Sequence, residues 1–177
     1  MTSKDSFNGK APRNLENDNS IIIYFNQDYD YTYGFHNRYN KYFIINQKNN
    51  NKKYTSKELL PVNKGFGIEI HFNTAFKSLI SFFANDIDKN MENLVFIDFT
   101  FFNSILVSDI REMIYGCSSL KSIDFSNFNT SKITSIYLMF SECNSLESID
   151  LSNFDISKDT NMILLFYNCS SLKPIDL

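Results

Sequence analysis

Cys117-Ser118-Ser119-Leu120-Lys121-Ser122-Ile123-Asp124-Phe125-Ser126-Asn127-Phe128 is answered 26 residues later by Cys143-Asn144-Ser145-Leu146-Glu147-Ser148-Ile149-Asp150-Leu151-Ser152-Asn153-Phe154. A third round begins at Cys169 and carries Leu172 and Ile175 in register. An earlier round has Leu94, Ile97, Phe99 and Phe102, with Met91 where a cysteine would stand. Ile114, Phe140 and Phe166 each precede a cysteine by three residues. So many matched positions at one spacing predict stacked units of equal length, a solenoid.

Within each unit the apolar spacing changes. Leu146, Ile149 and Leu151 face one way, and Ser148, Asp150 and Ser152 the other, which predicts a short parallel strand. Ile133, Ile136, Met139 and Phe140 recur at helical spacing and predict a short helix or 3₁₀ turn facing the same core. The expected architecture is therefore an α/β-type repeat solenoid of the leucine-rich-repeat kind. Each repeat would supply one strand and one helix or 3₁₀ turn, and the expected span is residues 94–177, incomplete at the C-terminal end. The repeat positions Cys117, Cys143, Cys169, Leu120, Leu146, Leu172, Ile123, Ile149 and Ile175 are expected to form ladders. Each fully buried aliphatic side chain contributes about 1.5–3 kcal/mol. One unit buries too few to offset the entropy of ordering its backbone, so several must fold together.

Upstream, residues 1–19 are polar and read as a disordered lead. Residues 20–60 read as a small β and loop region. Ile21–Phe25 and Tyr42–Ile45 are its candidate strands, expected to pair as a hairpin, and 47–53 is a polar linker. Residues 66–93 read as a degenerate capping repeat. Ile68, Ile70 and Phe72 alternate, and Leu79, Phe82 and Phe83 match Ile110, Met113 and Ile114. Residues 84–93 then carry an insertion of about five residues. Asp159 stands where Val107 and Ile133 stand, so the third return segment is expected to shift away from the core there.

The net charge is −3, which argues against nucleic acid as a partner. Residues 1–90 hold 12 Lys/Arg against 9 Asp/Glu, and residues 91–177 hold 5 against 11, so the repeats are the acidic half. No apolar run approaches the ~18 residues of a membrane span. The polar first twenty residues lack the apolar core of a secretory signal. Three dispersed cysteines, with no histidine in the repeats, suit neither a disulfide framework nor a zinc site, and the expectation is that they fill the bend before each strand. His36 and His71 are isolated, so no triad can be assembled. Asp28–Gly34 fails as a calcium loop, because its glycine is one place late and no glutamate closes it. The chain is therefore expected to be no enzyme, with no catalytic residue, cofactor or metal.

Asp98, Asp124, Asp150 and Asp176 share one register, flanked by Thr100, Ser126 and Ser152. The residue types admit two roles. The carboxylates can cap backbone turns, or they can form an acidic, hydroxyl-rich binding face.

The wording of 117–132 and of Met139–Asp155 resembles the BspA-like surface proteins, whose 26-residue leucine-rich repeat runs roughly Met-Phe-x-x-Cys-x-x-Leu-x-x-Ile-Asp-Leu-Ser. The likeness covers residues 94–177 closely, 66–93 loosely and 1–60 not at all. It departs at Met91, Ile114 and Lys158-Asp159-Thr160. It implies a curved, non-catalytic surface that binds a protein ligand in adhesion, displayed at the cell surface or outside the cell. The runner-up expectations are a structural piece of a longer repeat protein with no ligand of its own, or an intracellular scaffold. Self-association through the uncapped C-terminal end is also expected.

Overall fold

The computed structural model describes residues 19–25, 29–31, 42–46, 52–55, 60–62, 68–72, 76–85, 91, 93–157 and 160–175. Eight short strands occur among them and no helix: β1 (Ser20–Phe25), β2 (Tyr29–Tyr31), β3 (Tyr42–Asn46), β4 (Lys52–Thr55), β5 (Leu60–Val62), β6 (Ile68–Phe72), β7 (Leu94–Asp98) and β8 (Ser122–Asp124). Six form a mixed sheet in the order β4-β3-β6-β1-β7-β8, while β2 and β5 pair separately. Only the β7–β8 pair is parallel.

The hydrophobic run Ile21-Ile22-Ile23-Tyr24-Phe25 becomes a central strand because both of its faces find apolar cover. Ile21, Ile23 and Phe25 join the main core, and Ile22 and Tyr24 pack with Val95 and Phe96 on the opposite face. β1 runs antiparallel to both neighbours, pairing Ile21 with Ile70 on β6 and Ile23 with Ile97 on β7. The expected β1–β3 hairpin is absent, since β6 lies between those strands. β6 also does not stack beside β7 as an earlier repeat would, since β1 separates the two. Of the expected linker, Lys52 and Lys53 belong to β4, which pairs with β3.

Beyond β8 the sheet ends, and this overturns the leucine-rich-repeat solenoid. The described residues at the strand positions of the next two units, around Ile149 and up to Ile175, adopt no strand. What remains on that side is two backbone bonds per unit: Ser145 and Glu147 N–H to the Ser118 and Lys121 carbonyls at 3.1 and 3.5 Å, then Ser171 and Lys173 N–H to the Asn144 and Glu147 carbonyls, both at 3.2 Å. The expected helices are absent as well. The chain is a mixed sheet, with turn-built segments continuing from one flank.

Those segments explain why helical spacing did not give helices. In 110–117 alternate amides turn inward on their own segment: Met113 N–H donates to the Ile110 carbonyl, Tyr115 to Glu112 and Cys117 to Ile114. The amides between them donate outward, Glu112 to the Tyr137 carbonyl, Ile114 to Met139 and Gly116 to Ser141. A helix would keep every such donor within its own segment. The outward pattern recurs in Leu138, Phe140 and Glu142, which donate to Ile163, Leu165 and Tyr167. It also occurs upstream in Ser81, Phe83 and Asn85, which donate to Arg111, Met113 and Tyr115. Left-handed residues punctuate each segment at equivalent places: Ser81, Glu112, Leu138 and Leu164, then Gly116, Glu142 and Asn168. A non-glycine residue in that conformation costs about 1–2 kcal/mol, so the intersegment bonds and core burial must offset it.

The core is built from ladders along the repeat. Leu94, Leu120 and Leu146 are fully buried, as are Cys117, Cys143, Met139 and Phe140. Phenylalanine rings stack between units, Phe99 on Phe125 at 5.1 Å and Phe140 on Phe166 at 5.4 Å, while Phe99 and Phe128 meet edge to face at 5.2 Å. Such pairs add about 0.5–1.5 kcal/mol beyond area burial.

Leu146→Ala, which empties a fully buried ladder position, is expected to cost about 2–5 kcal/mol in urea unfolding. Gly116→Ala is expected to cost about 1–2 kcal/mol, because φ is +76° and the new Cβ meets the Asn85 carbonyl oxygen at 3.3 Å. Exposed Lys132→Ala should stay within about 0.5 kcal/mol of the parent.

Candidate functional site

The aspartate register serves the backbone first. Asp98 Oδ1 accepts the Thr100 amide at 2.8 Å, Asp124 Oδ1 the Ser126 amide at 2.9 Å and Asp150 Oδ1 the Ser152 amide at 2.9 Å. Each carboxylate thus closes the turn two residues ahead. Asp98 does not lie on an open face. It is 7 % exposed on β7, between β1 and β8, and its Cα partners are Ile22 and Asp124. The Thr100 hydroxyl is buried with no hydrogen-bond partner. Asp150, Ser126 and Ser152 are exposed, Asp124 is half-buried, and Asp176 lies outside the described residues. The Ser152 hydroxyl, and then its amide, hold the Asp150 carboxyl below the ordinary carboxylate range.

The cysteines are hydrogen-bond donors. Cys117 Sγ donates to the Phe83 carbonyl at 3.1 Å, Cys143 Sγ to Ile114 at 3.3 Å and Cys169 Sγ to Phe140 at 3.0 Å. Burial pushes all three thiols up in pKa, so they stay protonated. They are free, and among the described residues no group of three or more His, Cys, Asp or Glu could hold a metal ion. Met91 takes the cysteine's backbone role, its carbonyl accepting the Leu94 amide as the Cys117 carbonyl accepts Leu120.

A second polar seam runs along the repeat. The buried hydroxyls of Ser104 and Thr130 accept the amides of Asn129 and Asp155, and the side-chain amides of Asn127 and Asn153 donate to the Thr100 and Ser126 carbonyls. Its signal was present in the sequence, since Ser104 and Thr130, and Asn127 and Asn153, stand one repeat apart.

Two surface features remain. A shallow groove of about 590 Å³ is lined by Asp109, Arg111, Lys132, Ser135, Tyr137 and Asn161, among others. Its arginine is already occupied, with Arg111 Nε 2.9 Å from Asp109 Oδ1 and Nη2 2.8 Å from Oδ2. That guanidinium holds the Asp109 carboxyl below its usual range. The other feature is a group of exposed apolar side chains at residues 162–167. Ile163 is 63 % exposed, Tyr167 57 %, Leu164 46 % and Met162 39 %. Leu165 alone docks fully, and Phe166, Cys169, Leu172 and Ile175 are only partly covered. Asp159, where the return segment was expected to shift away from the core, lies outside the described residues; Met162 after it is exposed, while Leu165 is buried.

A family model described as "Mycoplasma protein of unknown function, DUF285" matches residues 78–176. The chain belongs to the DUF285 family. The BspA-like leucine-rich-repeat assignment is thereby corrected: the matching family is DUF285, and the wording shared with that repeat folds here into turns without helices. The match opens at Ser78, whose bridge to Asp109 starts the first intersegment pairing, and it leaves β1 to β6 outside. No curated protein and no solved structure matches the DUF285 chain. No helix among the described residues is long and apolar enough to cross a membrane.

The carboxyls of Asp109 and Asp150 should titrate below the free value of about 3.9 in carbon-13 NMR. Because the folded state lowers them, their stabilisation is present above about pH 3.9 and lost as pH falls through the lower folded value. Arg111→Ala should return Asp109 toward 3.9. In native protein at pH 8, a thiol reagent should label Cys169 first and leave Cys117 and Cys143 unreacted until unfolding.

Proposed function

We propose that this DUF285 chain is a non-catalytic protein-binding module, and that its contact face is the exposed apolar group at residues 162–167. The observation that carries this is the grouping of four exposed large apolar side chains, Met162, Ile163, Leu164 and Tyr167, on the last described unit. Their counterparts in the preceding unit, Ile136, Tyr137, Leu138 and Ser141, are buried or half-buried. Contiguous exposed apolar surface on a soluble chain marks interaction sites, and methionine and tyrosine are enriched in protein interfaces. The alternatives on the molecule are weaker. The aspartates close turns, the groove's arginine is neutralised, and the thiols are held protonated. We rest the proposal on this face and not on the family, whose description carries no activity.

A photo-crosslinking residue at position 163 of the full chain is expected to capture protein partners from extracts. Capture should be saturable, competed by unlabelled chain and reduced about tenfold or more by Tyr167→Asp. The same probe at exposed Ser148 should capture none of those partners. Equal capture at both positions, or none that competes, would overturn the proposal.

A further inference from the structure

The groove beside Arg111 holds about 590 Å³, and every residue that lines it is polar or charged, Tyr137 included. Small-ligand sites of that size are ordinarily apolar, so this one suits a hydrophilic occupant. Its walls come from three successive segments whose backbones already bond to each other. Ile136 N–H donates to the Asn161 carbonyl, and Asn161 N–H donates to the Thr134 carbonyl. An added peptide strand needs a free backbone edge, and apolar peptide side chains need an apolar wall. The groove supplies neither there, which leaves its side chains to choose the ligand.

Arg111 and Asp109 form a two-pronged pair, Nε to Oδ1 at 2.9 Å and Nη2 to Oδ2 at 2.8 Å. The pair is neutral as a whole, so it is a weak anion site. It still presents unused guanidinium N–H donors beside carboxylate lone pairs. Donors and acceptors side by side match a polyol, each of whose hydroxyls both donates and accepts. The half-buried Tyr137 stands on the next segment, tied there by Glu112 N–H to the Tyr137 carbonyl at 3.0 Å. Its ring offers a flat apolar surface to the C–H face of a sugar. Among the described residues the Thr134 and Tyr137 hydroxyls have no hydrogen-bond partner.

One charge is left over. Lys132 is exposed and has no acidic partner among the described residues. Residues 91–177 hold 5 Lys/Arg against 11 Asp/Glu, yet Arg111 and Lys132 both border this groove, with Asp109 as its lining carboxylate. Two cations against one anion make the groove a positive spot in the acidic half, which selects a ligand carrying negative charge.

We infer that this groove binds a saccharide bearing a carboxylate. The Arg111–Asp109 pair and the Thr134 and Tyr137 hydroxyls bond the sugar hydroxyls, the Tyr137 ring underlies the sugar, and Lys132 pairs with the carboxylate. The site shares no residue with the apolar contact face at 162–167 and stands or falls independently of it.

The test uses the full nitrogen-15-labelled chain and two probes. One is an oligosaccharide of alternating glucuronate and N-acetylglucosamine, and the other is the same oligosaccharide with its carboxylates reduced to alcohols. The acidic probe is expected to shift the amides of Arg111, Lys132, Thr134 and Tyr137 saturably at millimolar concentration and to leave exposed Ser148 unmoved. The reduced probe should bind about fivefold more weakly or worse. Tyr137→Ala should weaken both probes about tenfold. Lys132→Gln, at an exposed position the fold tolerates, should bring the two probes within about twofold of each other and keep the reduced probe within about twofold of its parent affinity. Absence of shifts at the groove with either probe would overturn the site. Equal affinity of the parent chain for both probes would overturn the carboxylate contact. Tighter binding of a short aspartate-containing peptide at the same amides would make this a peptide groove and overturn the saccharide.

Discussion

The structure depends on backbone amides that leave their own segment to reach the next. Glu112, Ile114 and Gly116 donate to Tyr137, Met139 and Ser141, and the next segment repeats the arrangement. Buried polar backbone must be satisfied, and no described helix is available to do it. Each segment therefore completes its neighbour's hydrogen bonding, and Phe166 stacks on Phe140 between two of them. This coupling makes left-handed Leu138 tolerable, although leucine gains nothing from that conformation by itself.

The sheet and the turn segments solve the same problem in different ways. β1 brings two apolar faces and is completed by β6 and β7, antiparallel on both sides. The repeat enters this sheet through β7 and adds only β8 in parallel. Past that point Asp124 and Asp150 hold the turns through Ser126 and Ser152. The carboxylates shape the chain, and one of them, Asp98, does so from inside.

The 26-residue period was legible because it comes from side-chain burial. Leu120 and Leu146, Cys117 and Cys143, and Phe128 and Phe154 are all buried at equivalent places. The extra residues in 84–93 were legible too: Ser78 bridges Asp109, 31 residues on, whereas Ser135 bridges Asn161, 26 on. Helices were misread because Ile110, Met113 and Ile114 have a spacing that a run of turns also satisfies. The hydrogen-bond direction that separates the two has no letter in the sequence. Asp98 looked solvent-facing because its neighbour across the sheet, Ile22 on β1, stands 76 residues upstream and carries no mark of that pairing.

The amino-acid sequence by itself determined which residues are equivalent and which of them are apolar, and hence the ladders of the core. That follows because burial free energy belongs to the side chain and scales with its area. The tertiary structure alone decided where backbone amides go, which strands flank β7 and which surface stays open. These depend on groups identical in nearly every residue, so only their placement in space distinguishes a satisfied donor from a free one.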